Sequence, residues 1–238
     1  KLLVCQVTNG TDDFQVVCGA PNARAGIKVP FAMVGAKFPD LKIKKAKLRG
    51  VESFGMLCSE SELGLSDSHD GLMELPHDAT VGEDIVSYLS LKDSIFDLDL
   101  TPNRSDCLSI VGLARETGLL NNLPVQYPVA ALIAATVTDT FPVELNAGDA
   151  CSRFVGRVIK NINPTAKSPL WLTEKLRRSG LRSISPVVDI TNYVMLELGQ
   201  PLHAYDHAKL KGKIVVRQSS QGEKIVLLDG NEIELKAE

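Results

Sequence analysis

The sequence lacks the short motifs that mark the commonest catalytic and nucleotide-binding sites. It contains no G-x-G-x-x-G, no Walker sequence, no G-x-S-x-G and no H-E-x-x-H. These absences argue against a dinucleotide-binding fold, a P-loop NTPase, an α/β-hydrolase and a zinc protease.

Cysteine pairs and long apolar runs are also missing. The five cysteines lie far apart with no C-x-x-C pair, and such an odd set predicts reduced thiols in a cytoplasmic protein. No apolar run approaches the roughly 18 residues of a membrane span. No signal peptide opens the chain, which begins on Lys1 rather than Met, so we expect a fragment or a processed chain with no membrane partner. The cysteines are Cys5, Cys18, Cys58, Cys107 and Cys151.

The histidines show no metal-ligand spacing with the cysteines. Structural metal sites need Cys, His and Asp pairs at short intervals. We therefore expect no metal ion in this chain. The four histidines are His69, His77, His203 and His207.

The charge is modest in total and uneven in distribution. The net charge of −3 does not by itself suggest a nucleic-acid binder. Residues 24–49, however, hold eight Lys or Arg and one acid, a local balance of 8 − 1 = +7, whereas residues 50–90 hold nine acids and no Lys or Arg. Blocks of opposite sign on one domain give its surface a directional electric field.

The first 49 residues predict a small β-barrel. Short apolar segments are separated by Gly, Pro and Asp about every ten residues, as in small all-β folds. In "LKIKKAKL", residues 41–48, apolar and basic side chains alternate, which predicts a strand with cations along one face. Such a face can bind nucleic-acid phosphates. The cations are Lys42, Lys44, Lys45, Lys47 and Arg49.

An alternative explanation of this basic strand remains open. Lysines also protect an exposed edge strand against aggregation. Few aromatic residues lie nearby, namely Phe31, Phe38 and Phe54, so base stacking has little support.

The middle of the chain predicts a strand, a loop and a helix. "SIFDLDL", residues 94–100, alternates as a half-buried strand does. Ser105 or Asp106 can cap a helix that runs to about Leu120, and Pro124 and Pro128 mark a linker.

The last third predicts an α+β domain. "FPVELNA" and "RFVGRVIKNI" alternate as strands, and "KIVVRQSS" with "EKIVLLDG" predicts a hairpin. Ser168 followed by Pro169 predicts a capped helix start, and Gly180 suits that helix's end. A second helix is expected over residues 186 to about 198, followed by Gly199 and Pro201.

This second helix carries polar residues that compete for its backbone, Thr191 and Asn192. They can simply stabilise the helix, with His203 as a hydrogen-bonded core histidine. Alternatively, the turn after Gly199 lets His203 fold back, so that a hydroxyl, an amide and an imidazole converge on one small pocket. Asp189 and Asp206 flank the motif and suit caps or turns better than catalysis.

Several longer segments carry a family resemblance. "KLRGVESFGMLCS", residues 47–59, and "VVCGAPNARAG", residues 16–26, resemble the tRNA-binding OB-fold domain shared by several tRNA synthetases and free-standing tRNA-binding proteins. "LDLTPNRSDCLSIVGLARE", "PLWLTEKLRRSGLRS" and "VVDITNYVMLELGQPLHAYD" are similar, in that order, to the bacterial phenylalanyl-tRNA synthetase β subunit. The resemblance covers the whole chain.

The resemblance implies an α+β multidomain fold. Residues 1–91 would be a truncated OB-fold β-barrel without its first strand, residues 92–127 a strand-loop-helix connector, and residues 128–238 the first part of a B3/B4 editing-type domain. The connector would belong to the module that precedes the OB fold in the family.

The resemblance also implies a function. The chain would be an internal fragment that binds tRNA(Phe) and supplies part of the site that hydrolyses mischarged Tyr-tRNA(Phe). Thr191, Asn192 and His203 would line this editing pocket, which also uses residues beyond Glu238. Phenylalanine activation, with ATP and magnesium, would lie on the α subunit of a heterotetramer, so this chain alone is not expected to aminoacylate or to hold a cofactor.

Two other functions remain open. The chain can be a non-enzymatic tRNA-binding OB-fold module with a scaffold domain, or a structural protein that binds a partner. The basic cluster Lys175, Arg177, Arg178 and Arg182 fits either a tRNA phosphate contact or a solvated helix face.

Overall fold

The computed structural model describes residues 2–67, 69–163, 165–227 and 229–236. The chain divides into two compact units, Lys1–Asp97 and Leu98–Glu238, called unit 1 and unit 2 below. The division into three parts at residues 91 and 127 stays a prediction.

The described part of unit 1 is built from short strands and one short helix. Their bounds are β1 (Leu3–Thr8), β2 (Asp13–Cys18), β3 (Phe31–Met33), β4 (Ala46–Leu48), β5 (Val51–Ser53), β6 (Gly55–Leu57) and α1 (Ile85–Tyr88).

These strands pair antiparallel in twos: β1 with β2, β3 with β6, and β4 with β5. Further hydrogen bonds connect β2 to the last residue of β5 and to the residue that follows it. The Phe54 N–H donates to the Gln15 carbonyl over 2.9 Å, and the Val17 N–H donates to Ser53 Oγ over 3.0 Å. Across the residues described, the strands do not close into a barrel, so the fold shown is a mixed α/β fold with small sheets.

Unit 1 has two small apolar clusters. Val16, fully buried, packs with Leu57 and Leu72, and the rings of Phe14 and Phe31 lie against this cluster with centroids 5.2 Å apart. Ile43 and Cys58 belong to the second cluster. The clusters anchor the inner faces of the strands, so the basic side chains are left on the outside.

Unit 2 contains longer helices and, in its described residues, short strands. Their bounds are α2 (Ile110–Asn121), β7 (Val143–Asn146), α3 (Leu170–Arg178), α4 (Pro186–Leu198), β8 (Ile214–Arg217), β9 (Lys224–Val226) and β10 (Glu232–Glu234). Short 3₁₀ turns cover Pro102–Cys107, Gly148–Cys151 and His207–Lys209.

The helices of unit 2 pack through one buried face. Leu172 and Leu176 of α3 are 2% and 0% exposed, as expected for side chains four residues apart on one helix face. On the neighbouring face, Trp171 meets Tyr193 of α4 edge to face, with ring centroids 5.5 Å apart.

Two predicted strands are wrong. Residues 94–100 and 153–162 have no strand partner among the described residues, and their apolar side chains, such as Phe96 (82% exposed) and Val155 (76%), point into solvent. Alternation indicates which residues share a face, but a strand needs a neighbouring strand to accept its hydrogen bonds.

The predicted pairing of the last strands is also wrong. β8 pairs in parallel with β7, with Val143 opposite Ile214, and β9 pairs with β10. The basic strand is shorter than expected: β4 begins at Ala46, and Lys42 forms only an isolated bridge with Lys37.

The predicted helix starts are partly wrong. Ser109, not Ser105 or Asp106, caps α2 by accepting a hydrogen bond from the Gly112 N–H over 3.1 Å. Residues 102–107 form a 3₁₀ turn before it. Pro169 occupies the N-cap position of α3, and the Ser168 hydroxyl donates a hydrogen bond to Asp189 instead of capping the helix.

No helix in the described residues is long and apolar enough to cross a membrane. All five cysteines are free thiols.

Candidate functional site

The basic face predicted in unit 1 consists of Lys42, Lys44, Lys45, Lys47 and Arg49, and all five side chains are exposed. Arg49 and Gly50 form the two-residue turn between β4 and β5, with φ values of 48° and 86°. Positive φ at both positions is typical of the tight hairpin turns that match strand twist. The turn therefore places Arg49 at the tip of this hairpin.

One cation of the basic face is already neutralised within the chain. Lys45 Nζ lies 2.9 Å from Glu52 and 4.7 Å from the centroid of the Phe54 ring. In the structure as described, the other four cations form no ion pair. Lys42, Lys44, Lys47 and Arg49 therefore provide the charge that is available to a polyanion.

Arg24, which contributes to the positive block in the sequence, has a structural role. Its guanidinium binds both oxygens of Glu74, at 2.7 and 2.6 Å. The Asn22 amide pairs with both the N–H and the C=O of Leu72, at 2.9 and 3.0 Å. These contacts fix the loop that follows β2, so Arg24 is not counted among the available cations.

The candidate site in unit 2 begins on α4. The helix begins at Pro186 and is followed by Gly199, as predicted, and Gly199 has the left-handed conformation. Ser185 caps the start of the helix. The Thr191 hydroxyl donates to the Val188 carbonyl over 2.8 Å. Because its only proton is used in this way, Thr191 can only accept a hydrogen bond from a ligand.

Asn192 is half-buried, and its side chain forms no hydrogen bond to any residue whose placement is described. An amide has two donors and two acceptor lone pairs. Asn192 can therefore offer either kind of hydrogen bond to a ligand.

His203 is exposed, which does not fit a packed core histidine. Its ring lies 6.3 Å from that of Tyr205. In residues 2–67, 69–163, 165–227 and 229–236, no hydrogen bond joins His203 to Thr191 or Asn192. The convergence of these three side chains on one pocket stays a prediction.

Asp189 is the buried polar centre of this region, with 0% of its surface exposed. It accepts hydrogen bonds from the hydroxyls of Ser168 and Ser183, each at 2.5 Å, and from the Ile184 N–H at 2.8 Å. Burial raises the pKa of Asp189, but these hydrogen bonds outweigh burial and hold the pKa below its usual value. Asp189 therefore ties the start of α3 to the start of α4.

Asp206 has the turn role that was expected. Its carboxylate accepts a hydrogen bond from the Ala208 N–H over 3.1 Å and so caps the 3₁₀ turn His207–Lys209. The path of the chain just beyond His203 is thereby fixed.

The basic cluster on α3 is partly neutralised. Glu174 receives two hydrogen bonds from Arg177, at 2.9 and 2.8 Å, and one from Arg178 at 3.4 Å. The hydrogen bond from Arg177 lowers the pKa of Glu174. Lys175 instead lies over the rings of Trp171 and Tyr193, at 5.8 and 5.4 Å. Arg177 and Arg178 are therefore partly neutralised within α3, and the choice between a tRNA contact and a solvated helix face stays a prediction.

Sequence reasoning missed two features of these sites. The first is the contact of Lys45 with Phe54. The two-residue turn Arg49–Gly50 would have indicated it, because such a turn places Lys45 opposite Phe54 across the hairpin. The second is the packing of Gly199 against Ser109, described below, for which the sequence carries no signal.

Among the residues that the structure describes, no group of three or more His, Cys, Asp or Glu is placed to hold a metal ion.

Comparisons with known proteins match both units. The family described as "Putative tRNA binding domain" matches residues 1–84, and the family described as "B3/4 domain" matches residues 150–238. Phenylalanine–tRNA ligase beta subunits align with the entire chain: that of Pseudomonas putida is 60% identical over 100% of it. The chain is a relative of phenylalanine–tRNA ligase beta subunits.

Other relatives give the same result. The beta subunit of Hahella chejuensis is 61% identical over 98% of the chain, and that of Pectobacterium atrosepticum is 55% identical over 100%. The chain spans about 30% of the length of these curated relatives. The family resemblance expected from the quoted motifs is confirmed, and the two matched domains lie in the expected order.

Proposed function

We propose that the protein carrying this chain is the β subunit of a phenylalanine–tRNA ligase. Unit 1 binds tRNA(Phe), and unit 2 supplies part of the site that hydrolyses mischarged Tyr-tRNA(Phe). The observation that carries this proposal is the identity of about 60% along the entire chain to phenylalanine–tRNA ligase beta subunits. The order of the tRNA-binding and B3/4 domain matches supports it.

For unit 1, we propose an OB-fold barrel that presents the basic face to tRNA phosphates. The hydrogen bonds that link β2 to β5 support a continuous curved sheet. Four exposed cations that form no ion pair with the described residues support an electrostatic contact with the backbone of tRNA. Phe54 is covered by Lys45, which favours phosphate contacts over base stacking on this face.

For unit 2, the difficulty of distinguishing phenylalanine from tyrosine supports an editing role. Tyrosine is phenylalanine plus a hydroxyl, and a hydrophobic synthetic site rejects such an isostere only by about 10². A second site that binds the hydroxyl by hydrogen bonds supplies the remaining discrimination. Thr191, with its proton already donated to Val188, is a suitable acceptor for a phenolic O–H.

The reaction is the hydrolysis of an ester. A water molecule held by the pocket attacks the ester carbonyl, the bond to the 3′-terminal ribose oxygen breaks, and tyrosine and uncharged tRNA leave. His203 helps to position the 3′ end of the tRNA and the ester, and its exposure leaves the imidazole accessible to this ligand. Asn192 provides donors and an acceptor for orienting the substrate.

In the whole enzyme, we propose that phenylalanine activation takes place on a separate α subunit in a cytoplasmic heterotetramer. ATP and magnesium bind there in this proposal, as the family resemblance implies. The 238-residue chain alone is accordingly expected not to attach phenylalanine to tRNA in the presence of ATP. Charging by the chain alone would contradict the assignment.

The decisive experiment replaces His203 by alanine in the complete two-subunit enzyme. Because His203 is exposed, its loss should change the free energy of unfolding by no more than about 0.5 kcal/mol. Tyr-tRNA(Phe) hydrolysis should fall, while the rate of Phe-tRNA(Phe) formation should stay the same.

His207→Ala is the matched control, because His207 is also exposed and lies four residues further along. It should retain Tyr-tRNA(Phe) hydrolysis. An unchanged hydrolysis rate in His203→Ala would overturn the editing role and favour a tRNA-binding module with a scaffold domain.

A further inference from the structure

Neither matched family covers residues 85–149, although this interval includes the helix α2. Side-chain hydrogen bonds fix the start of this helix. Arg104 donates to Asp106 at 3.1 and 3.2 Å and to Glu116 of α2 at 2.6 Å. The 3₁₀ turn before α2 is thus tied to the helix itself. A β-carbon on Gly112 would lie only 1.7 Å from the Asp106 carbonyl oxygen. The turn and the helix therefore pack so closely that no side chain fits at residue 112.

The end of α4 rests on this start of α2. Gly199 ends α4 with φ +77°, and a β-carbon there would lie 3.1 Å from Ser109 Oγ and 3.2 Å from Ser109 Cβ. Ser109 is 7% exposed and is held as the N-cap of α2 by the Gly112 N–H. A β-carbon on Gly199 would therefore press on a side chain that is itself held in place.

The segment of the chain between Gly199 and His203 is short. Only three residues intervene, and one of them, Pro201, has a φ angle fixed by its ring. Gln200 donates to the Pro201 carbonyl over 3.2 Å. Beyond His203, the cap formed by Asp206 fixes the other end of the segment. A shift of Gly199 therefore displaces the start of the short segment that carries His203.

We propose that Ser109 and Gly199 are positioning residues: their contact fixes the course of the turn that carries His203 and so supports Tyr-tRNA(Phe) hydrolysis. This inference rests on the proposed editing function. It gives the segment before the B3/4 domain a role in the site, although that segment touches no substrate. A displacement of the reacting groups by about 1 Å can lower a rate on the order of 100-fold, so the contact has a measurable consequence.

The test compares two glycines with the same backbone conformation. Gly180 follows α3 with φ +77°, like Gly199, but a β-carbon on Gly180 would meet nothing within 4 Å. Alanine at either position causes the same backbone strain, and only Gly199→Ala presses on Ser109. In the complete enzyme, Gly199→Ala should lower Tyr-tRNA(Phe) hydrolysis about 10- to 100-fold, and Gly180→Ala should leave it within about twofold of wild type.

A second substitution tests whether the contact itself is responsible. Ser109→Gly removes the hydroxyl and the β-carbon that Gly199→Ala would meet, and glycine is tolerated at an N-cap. The double variant Ser109→Gly with Gly199→Ala should recover most of the lost hydrolysis. If the double variant stays as slow as Gly199→Ala, or if Gly180→Ala is equally slow, backbone strain explains the loss and the proposal is overturned.

A readout that does not depend on hydrolysis separates this proposal from the proposed function. In crystal structures of the complete enzyme, the backbone of His203 should be displaced by about 1 Å in Gly199→Ala, return towards its wild-type position in the double variant and stay in place in Gly180→Ala. If His203→Ala retains full hydrolysis while this pattern of displacement is seen, the editing role is wrong and the positional coupling stands. If the backbone of His203 has the same position in all variants, the coupling is wrong.

Discussion

The basic face of unit 1 and the α4 turn of unit 2 are organised in opposite ways. On the basic face, exposed cations lie on and before a short hairpin, and most of them form no ion pair in the described structure. In unit 2, Thr191 and Asn192 lie in the middle of α4 and His203 follows its end, and a buried carboxylate, two helix caps and a helix–helix contact fix the backbone around them.

This difference separates two kinds of binding. A charged surface attracts a polyanion through the sum of its charges, so the loss of one cation is shared among the rest. A site that must orient an ester for attack depends on positions, so the loss of one supporting contact can affect the whole reaction. Unit 1 should therefore respond gradually to substitution and unit 2 sharply.

The largest effect is expected from Asp189→Asn. The substitution removes the charge that Ser168, Ser183 and the Ile184 N–H bind, and we expect unit 2 to lose about 2–4 kcal/mol of unfolding free energy. Chemical denaturation of the purified variant measures this loss. Asp206→Asn is the control: its exposed cap should change stability by less than about 0.5 kcal/mol. Equal losses in both variants would show that Asp189 is not the central support of unit 2.

The same carboxylate predicts a pH dependence. Because the pKa of Asp189 is lower in the folded chain than in the unfolded one, its contribution is complete above the ordinary aspartate pKa of about 3.9. The contribution is then lost as the pH falls through the lowered value. The stability difference between wild type and Asp189→Asn should accordingly shrink on acidification. A difference that stays constant down to pH 2 would contradict this account.

A medium effect is expected from the triple change of Lys42, Lys44 and Lys47 to alanine. Each phosphate of a single strand that a protein neutralises contributes about 0.7 to the slope of log K against log salt concentration. If these three cations each neutralise one phosphate, the slope should become less steep by about 2. Fluorescence anisotropy of labelled tRNA over a series of salt concentrations measures this slope. An unchanged slope would remove this side of the hairpin from the tRNA interface.

The smallest effect distinguishes two neighbouring lysines. Lys45→Ala should weaken tRNA binding less than Lys47→Ala, because Lys45 is paired with Glu52 and covers Phe54. Both variants should retain stability within about 0.5 kcal/mol, since exposed ion pairs contribute little. Titrations of the two variants at the same low salt concentration provide the comparison. A larger loss in Lys45→Ala would mean that the ion pair opens when tRNA binds.

Local sequence predicted much of α4 correctly. Pro186 and Gly199 mark its limits, and the helix has the expected bounds Pro186–Leu198. Capping and turn preferences act within a few residues, so a short stretch of sequence is sufficient to reveal them. The family motifs were also readable, and the relatives confirm them.

Tertiary structure decided what these local signals left open. Ser168–Pro169 and Ser185–Pro186 carry the same helix-start signal, yet only Ser185 caps its helix. Ser168 lies one residue before Pro169, the N-cap of α3, and its hydroxyl donates to Asp189 instead. Alternation predicted β8, but the parallel strand β7, about 70 residues earlier, determined its partner. Ser109 meets Gly199 across 90 residues of sequence. Partners of this kind depend on which elements pack together, and short-range periodicity carries no information about that choice.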